Sequence, residues 1–345
     1  MDSAMLKKIL HRNVVCLALA ASVFVFSFSL CRPAQGFEYI PFSSEAVARP
    51  SSVPSLQISK NYPRLDGATS ALPAYAAFAQ AVYVGLDAKT AGEFVRCSRT
   101  EAAFQHLIEG NADIFFGLAP SATQRDSAAA RGLTLTETPI GWDAFIFFVN
   151  QANPVRSLTL EQVRAIYSGR IVNWKELGGL DEPIAALQRT DDSGSQTTMV
   201  ETVMKGLTMV EAPPDFRMIR MADSVYAVAF DSGHNALTYS FSSYLRLFFN
   251  PNHTVTRSVR VIAIDNVEPT PENIRNGTYP FTVPILAITA RPPSRETQSL
   301  LDWIVSPEGQ YLLEDSGHVP AFAVRCGSKQ LLPPCANTPV PQPAD

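Results

Sequence analysis

Leu65–Tyr75 reads LDGATSALPAY, and the order of its parts decides the class of fold. An apolar residue gives way to Asp66-Gly67-Ala68-Thr69-Ser70, a turn of glycine and hydroxyl residues. The run Ala71–Tyr83 (ALPAYAAFAQAVY) follows, made of good helix formers and apolar nearly all round. This is a strand, a tight loop and a largely buried helix. Two further segments repeat the design: Ser98-Arg99-Thr100, and Arg189-Thr190-Asp191-Asp192-Ser193-Gly194-Ser195. Each stands where a chain leaving a strand enters a helix. The first turn of a helix carries unpaired backbone N–H groups and a partial positive charge, so it receives anions. Hydroxyls and an arginine complete a site for a tetrahedral oxyanion. Arg189 is the natural bidentate partner, because its planar fork matches two oxygens of one ion. Singly, each turn reads as an ordinary N-cap; it is their conjunction that points to a ligand.

Working outward, short apolar runs alternate with helical patterns, the arrangement of α/β architecture. Thr100–Ile108 puts Ala103, Phe104, Leu107 and Ile108 on one helical face and stops at Gly110. Ala112–Gly117 and Phe145–Asn150 read as buried strands. Thr159 with Gln162 forms a capping box for a helix that closes at Gly169. Ala185–Arg189 suits a strand, and Gln196–Met204 a helix. Ser306-Pro307 opens a last helix that ends at Gly317.

The chain has 345 residues, 46% hydrophobic and 17% charged, with 28 Lys+Arg against 32 Asp+Glu for a net charge of -4. That balance offers no basic stripe for nucleic acid. An anionic ligand must be held by a few local groups. The five histidines (11, 106, 234, 253 and 318) are scattered, and neither HExxH nor CxxC occurs. No metal, cofactor or catalytic residue is expected. Lys7, Lys8 and Arg12, the apolar run Val14–Leu30 and Ala34-Gln35-Gly36 form an export signal over residues 1–36, with Phe37 as the first mature residue. An uncleaved membrane anchor is the alternative, because the apolar run is long. Residues 37–58 are rich in Ser and Pro and read as a linker, and 326–345 as a tail. Cys326 and Cys335 can close a C-terminal disulfide in an oxidising compartment. Cys97 reads as a buried apolar residue.

Four stretches carry a resemblance: Leu65–Tyr75, Leu158–Leu177 (LTLEQVRAIYSGRIVNWKEL), Arg189–Gln196 (RTDDSGSQ) and Ala236–Tyr244 (ALTYSFSSY). In this order they resemble the phosphate-binding component of bacterial phosphate ABC transporters, from about Asn61 to Phe322. The resemblance implies an α/β, two-lobed, periplasmic-binding-protein-like (type II) fold with the ligand cleft between the lobes. Lobe one would take residues 59–147 plus 281–325, and lobe two 148–280, with crossings near Phe148–Gln151 and Tyr279–Phe281. Carried over residue by residue, Thr69 and Ser70 fall on the first anion loop and Thr100 on the second. Arg189, Ser193, Gly194 and Ser195 match the family's arginine and Ser-Gly-Thr turn, with Ser195 in place of threonine. Arg99 and Glu101 are additional candidates where the family is Gly/Ser-rich. The family's phosphate binders place an aspartate just before an Ala-Pro pair to accept hydrogen from protonated phosphate. Here Leu118 precedes Ala119-Pro120.

The resemblance implies a monomeric, periplasmic or secreted protein that captures phosphate for a membrane permease. The alternative is an anion sensor or interaction protein, membrane-attached or extracellular, with the same fold and no transport role. A hydrolase would need Ser193 or Ser195 as nucleophile and His234 or His318 as base, and no GxSxG elbow is present. N-terminal sequencing of the exported protein is expected to begin at Phe37; a sequence beginning at Met1 would mean a retained anchor.

Overall fold

The computed structural model describes residues 47–321, apart from 192, 220, 232–233 and 249–256. The export signal, Asp192, Cys326, Cys335 and the tail therefore lie outside the described residues. In chain order the elements used below are β1 (Leu65–Gly67), α1 (Leu72–Val82), α2 (Ala88–Ala91), α3 (Thr100–Glu109), β2 (Ile114–Gly117), α4 (Ala122–Ala129) and β3 (Thr136–Asn150). They continue with β4 (Ser157–Leu158), α5 (Leu160–Tyr167), β5 (Ala185–Ala186), β6 (Gln188–Arg189), α6 (Gly194–Thr198), β7 (Arg217–Met218), α7 (Met221–Ala229), β8 (Ala236–Phe241) and α8 (Ser242–Phe248). The last are β9 (Val259–Ile264), α9 (Pro271–Arg275), β10 (Thr282–Thr289), α10 (Arg295–Ile304), α11 (Pro307–Asp315) and β11 (Val319–Pro320).

Local chemistry sets many of these boundaries. Thr159 accepts from the Gln162 N–H while Gln162 reaches back, the capping box expected for α5. Ser306 caps α11 with Pro at its first turn, and Gly317 follows at φ 93°. Gly67 is required for a different reason. A Cβ there would lie 2.3 Å from the Phe116 carbonyl oxygen, so only glycine lets β1 approach β2 this closely.

β1 and β2 pair in parallel, Leu65 opposite Ile114, and α3 lies in the connection between them, making a βαβ unit. Tyr75 of α1 stacks on Phe116 at 5.1 Å between ring centroids, and Phe78 meets Trp303 edge-on. The sheet order runs β1-β2-β10-β3-β8-β5, with β11 and β9 also on β3 and β4 on β9.

The fifteen-residue β3 changes partners midway. Thr136–Ala144 pairs with β10, ending at Ala144 opposite Thr282. From Phe145, opposite Phe241, the partner is β8, and Phe147–Asn150 pairs with β9. The Phe145 N–H donates to the Phe281 carbonyl at 2.9 Å, and the Tyr279 hydroxyl donates to the Phe145 carbonyl at 3.0 Å. β3 thus begins at Thr136, well before the Phe145 start read from the sequence, because its first half is held by β10 rather than by apolar alternation.

Separate apolar clusters fill the two sides of the exchange. One joins the second half of β3 with β8, β9, α5 and α7; another joins α3 to β2 and β10 through Phe104, Leu107, Phe115 and Ile288. At the joint, the buried Asp143 carboxylate accepts from the Ala144 N–H (2.7 Å), the Ser242 hydroxyl (2.6 Å), and the Ser243 N–H (3.1 Å) and hydroxyl (2.5 Å). It caps α8 and fixes that helix to β3 one residue before the last pair with β10. Asp143→Ala leaves the Ala144 and Ser243 N–H groups and the Ser242 hydroxyl without this acceptor. It is expected to lower the unfolding free energy in urea by about 3 kcal/mol; a loss below about 1 kcal/mol would remove this role.

Candidate functional site

Three loops reach one region, and each is held by contacts absent from its own sequence pattern. In the loop between β1 and α1, Thr69 and Ser70 are half-buried. The fully buried Asp66 carboxylate accepts the Gly67 and Ser98 N–H groups, both at 2.8 Å, through one oxygen and faces His106 Nδ1 at 2.7 Å with the other. One side chain therefore ties the first loop to the second and to α3. The Ser70 carbonyl is met by the Ser243 hydroxyl at 3.1 Å and by His318 Nε2 at 3.2 Å.

In the second loop Arg99 stands before α3 at φ 71° and ψ 168°, and Thr100 is the first helical residue. No side chain caps this end of α3. Glu101 accepts from Gln105 at 3.1 Å and from Gln124 at 3.0 Å, one amide on each oxygen. It pins α3 to α4. Cys97 is exposed, contrary to the buried residue expected. Its sulfur still lies 3.9 Å from Thr69 Oγ1.

Arg189 ends β6 and is only 5% exposed. Its Nε donates to the Met218 carbonyl at 2.9 Å and Nη2 to the Ile219 carbonyl at 3.0 Å. Nη1 is buried and has no hydrogen-bond partner among the described residues. Buried donors are almost always satisfied, so an orphaned guanidinium nitrogen is a candidate contact for a ligand or a water. Burial, together with the nearby charge of Arg99, lowers the Arg189 pKa; Tyr244, Tyr239 and Asp223 act the other way. The Arg189 N–H is fixed by Gln196 Oε1 at 3.1 Å, which also receives the Tyr239 hydroxyl.

Ser193 precedes α6 and its hydroxyl pairs with that of Ser195 at 2.9 Å. The helix begins at Gly194, ahead of the Gln196 start expected, and widens to a π turn over Met199–Val203. A Cβ on Gly194 would sit 2.9 Å from Thr100 Oγ1. Glycine therefore lets the third loop close on the second. The fold brings Arg99, Thr100, Arg189 and Gly194 together. Thr69 lies next to Cys97 of the second loop, and Ser70 is held to α8 through Ser243.

Asp66 and Tyr244 were not singled out from the sequence. Asp66 sat visibly in the first turn, but its pairing with Ser98 and His106 depends on the fold. Leu118 is half-buried and packs on the core around β3 and β8. The arrangement offers charged donors and hydroxyls to an anion. His318 lies between Ser316 and the Ser70 carbonyl, and His234 precedes β8 at the end opposite α8. Among the described residues no cluster of His, Cys, Asp and Glu is suited to a metal ion.

A family model described as the PBP superfamily domain matches residues 58–308. The chain is 26% identical over 212 residues to the phosphate-binding protein PstS of Bacillus subtilis (strain 168), covering 61% of this chain and 63% of that protein. It is 22% identical over 182 residues to the protein of the same name in Borreliella burgdorferi, covering 52% and 64%. The chain thus spans a little under two thirds of the length of these relatives. A crystal structure from Clostridium perfringens, described as a phosphate ABC transporter substrate-binding protein with bound phosphate, is 28% identical. It superposes with a TM-score of 0.59 over 75% of this chain and 99% of its own. An ABC-type phosphate transport receptor from Vibrio cholerae, 24% identical, shares the fold at a TM-score of 0.56, over 74% and 99% of the two chains.

Five buried tyrosines give a pH test. Burial raises the pKa of Tyr83, Tyr167, Tyr239, Tyr244 and Tyr279. In each, desolvation disfavours the phenolate. The folded state then keeps protons that the unfolded chain releases, so this stability is complete below the ordinary tyrosine value and falls as pH rises past it. Unfolding free energy is expected to decline from about pH 10 upward, with tyrosinate absorbance appearing as the protein unfolds. Tyrosinate from these five residues at its ordinary pH in a still-folded protein would contradict the burial.

Proposed function

Because the chain belongs to the PBP superfamily, we propose that it is an exported solute-binding protein that captures a small tetrahedral oxyanion, phosphate first, for an ABC transporter permease. The chain has a two-lobed, periplasmic-binding-protein-like α/β fold. The observation that carries the reading is the buried Arg189 guanidinium, whose Nη1 has no hydrogen-bond partner among the described residues. Thr69, Ser70, Thr100, Ser193, Gly194 and Ser195 surround the ion in this reading. Thr100 and Ser195 add hydroxyls, and the backbone N–H groups opening α3 add a positive dipole end. The names of the Bacillus subtilis and Clostridium perfringens proteins support phosphate as the ligand.

The lobes belong to the same proposal: residues 59–147 plus 281–325, and 148–280. The change of partners on β3 between Ala144 and Phe145 supports a crossing close to the 147/148 boundary. Ligand would draw the lobes together, and the permease would read the closed form. Among the described residues no helix is long and apolar enough to cross a membrane. Export through the 1–36 signal, a periplasmic or secreted location, a monomeric state and binding without turnover complete the reading. Leu118 leaves the side chain facing the core apolar where the family's phosphate binders have a carboxylate. Anion selectivity therefore rests on the arginines and hydroxyls.

Calorimetry and thermal unfolding of the purified protein with phosphate, phosphite, sulfate, nitrate and carboxylates test this directly. Phosphate at a hundred times its dissociation constant is expected to add about 2.7 kcal/mol of stability. Arg189→Ala and Ser193→Ala should remove that gain. Silence toward every oxyanion would overturn the proposal.

A further inference from the structure

The loop between β1 and α1 enters its helix without a capping side chain. Ala71 stands at the N-cap position, where a hydroxyl or carboxamide would ordinarily fix the backbone. Asp66 secures the start of the loop through the Gly67 N–H. Its end is gripped at the Ser70 carbonyl, which two side chains reach: Ser243 Oγ at 3.1 Å and His318 Nε2 at 3.2 Å. These are not equal holders. The Ser243 hydroxyl has one proton, and it also contacts the buried Asp143 carboxylate at 2.5 Å. A charged acceptor at shorter range has the stronger claim on that proton. His318 brings the Ser70 carbonyl a proton of its own, carried on Nε2.

The imidazole stands on a firm base. His318 is 3% exposed and lies between α11 and β11, 248 positions further along the chain than the serine it meets. Its Nδ1 faces the Ser316 hydroxyl at 3.0 Å, which orients the ring. β11 pairs with β3, Val319 opposite Trp142 and Pro320 opposite Gly141, and Gln310 of α11 donates to the Ile140 carbonyl at 2.9 Å. His318 therefore links the middle of the sheet to the loop that carries Thr69 and Ser70.

We infer that His318 is a positioning residue of the oxyanion site: by holding the Ser70 carbonyl against the end of β11, it sets where Thr69 and Ser70 stand toward the ion. The inference rests on the oxyanion reading above. His318 acts through Ser70 and takes no part in contacting the ligand.

The test is calorimetric titration with phosphate, each variant first shown to be folded by urea unfolding. His318→Leu is expected to weaken phosphate binding roughly tenfold. His318→Gln, whose amide can donate from near the place of Nε2, should recover most of that affinity. A residue that only filled space would be replaced better by leucine than by glutamine, so rescue by glutamine separates positioning from packing. Ser243→Ala should lower stability through its lost contact with Asp143 while changing affinity less than about threefold. Phosphate affinity unchanged in His318→Leu, or lost equally in the leucine and glutamine variants, overturns the inference and leaves the oxyanion site standing. Should His318→Leu fail to fold, Ser316→Ala decides: binding about threefold weaker supports the role, and unchanged binding overturns it. No oxyanion binding by the unsubstituted protein overturns the reading beneath it.

Discussion

A guanidinium removed from water without a full set of partners is the constraint around which this structure is arranged. Desolvating a cation is costly unless hydrogen bonds and an opposing charge offset the loss. Arg189 receives two carbonyl oxygens, from Met218 and Ile219, which hold its fork in one plane. Neither carries a full charge, and Nη1 remains unmatched among the described residues. The tyrosines around it are too deeply buried to ionise near neutral pH, so they do not supply the missing charge. An anion does.

The rest of the fold brings donors to that point. Asp66 holds the first two loops together through the Gly67 and Ser98 N–H groups. Gln196 and Tyr239 fix the start of the third loop. Gly194 permits the close approach to Thr100. Asp143 joins β3 to α8, and α8 in turn reaches the Ser70 carbonyl through Ser243. These contacts connect residues far apart in sequence, which is how a chain of net negative charge can gather the donors of the proposed anion site.

Much of the fold was legible because it is written in local chemistry. The Thr159–Gln162 box, the Ser306-Pro307 start and the glycines after α5 and α11 are signals that need no tertiary context. The early half of β3 was not legible. Thr136–Ala144 contains Pro139, Gly141 and Asp143, and its extended form depends on pairing with β10. The start of α6 and its π turn were missed for a similar reason, since Ser193 supplies no side-chain cap to announce them. Among the site residues, the hydroxyls, Gly194 and Arg189 could be picked out by type and spacing. The orphaned Nη1, the Asp66 link, the engagement of Glu101 by two glutamines and the place of Tyr244 arise from packing, which spacing along the chain does not encode.

The most direct measurement is a crystal structure of the protein grown with phosphate. The account predicts a tetrahedral ion within hydrogen-bond distance of Arg189 Nη1, flanked by Thr100 and the start of α3 on one side and by Ser193–Ser195 on the other. An ion bound elsewhere, or Arg189 Nη1 paired with a protein group while that region stays unoccupied at saturating phosphate, would contradict it.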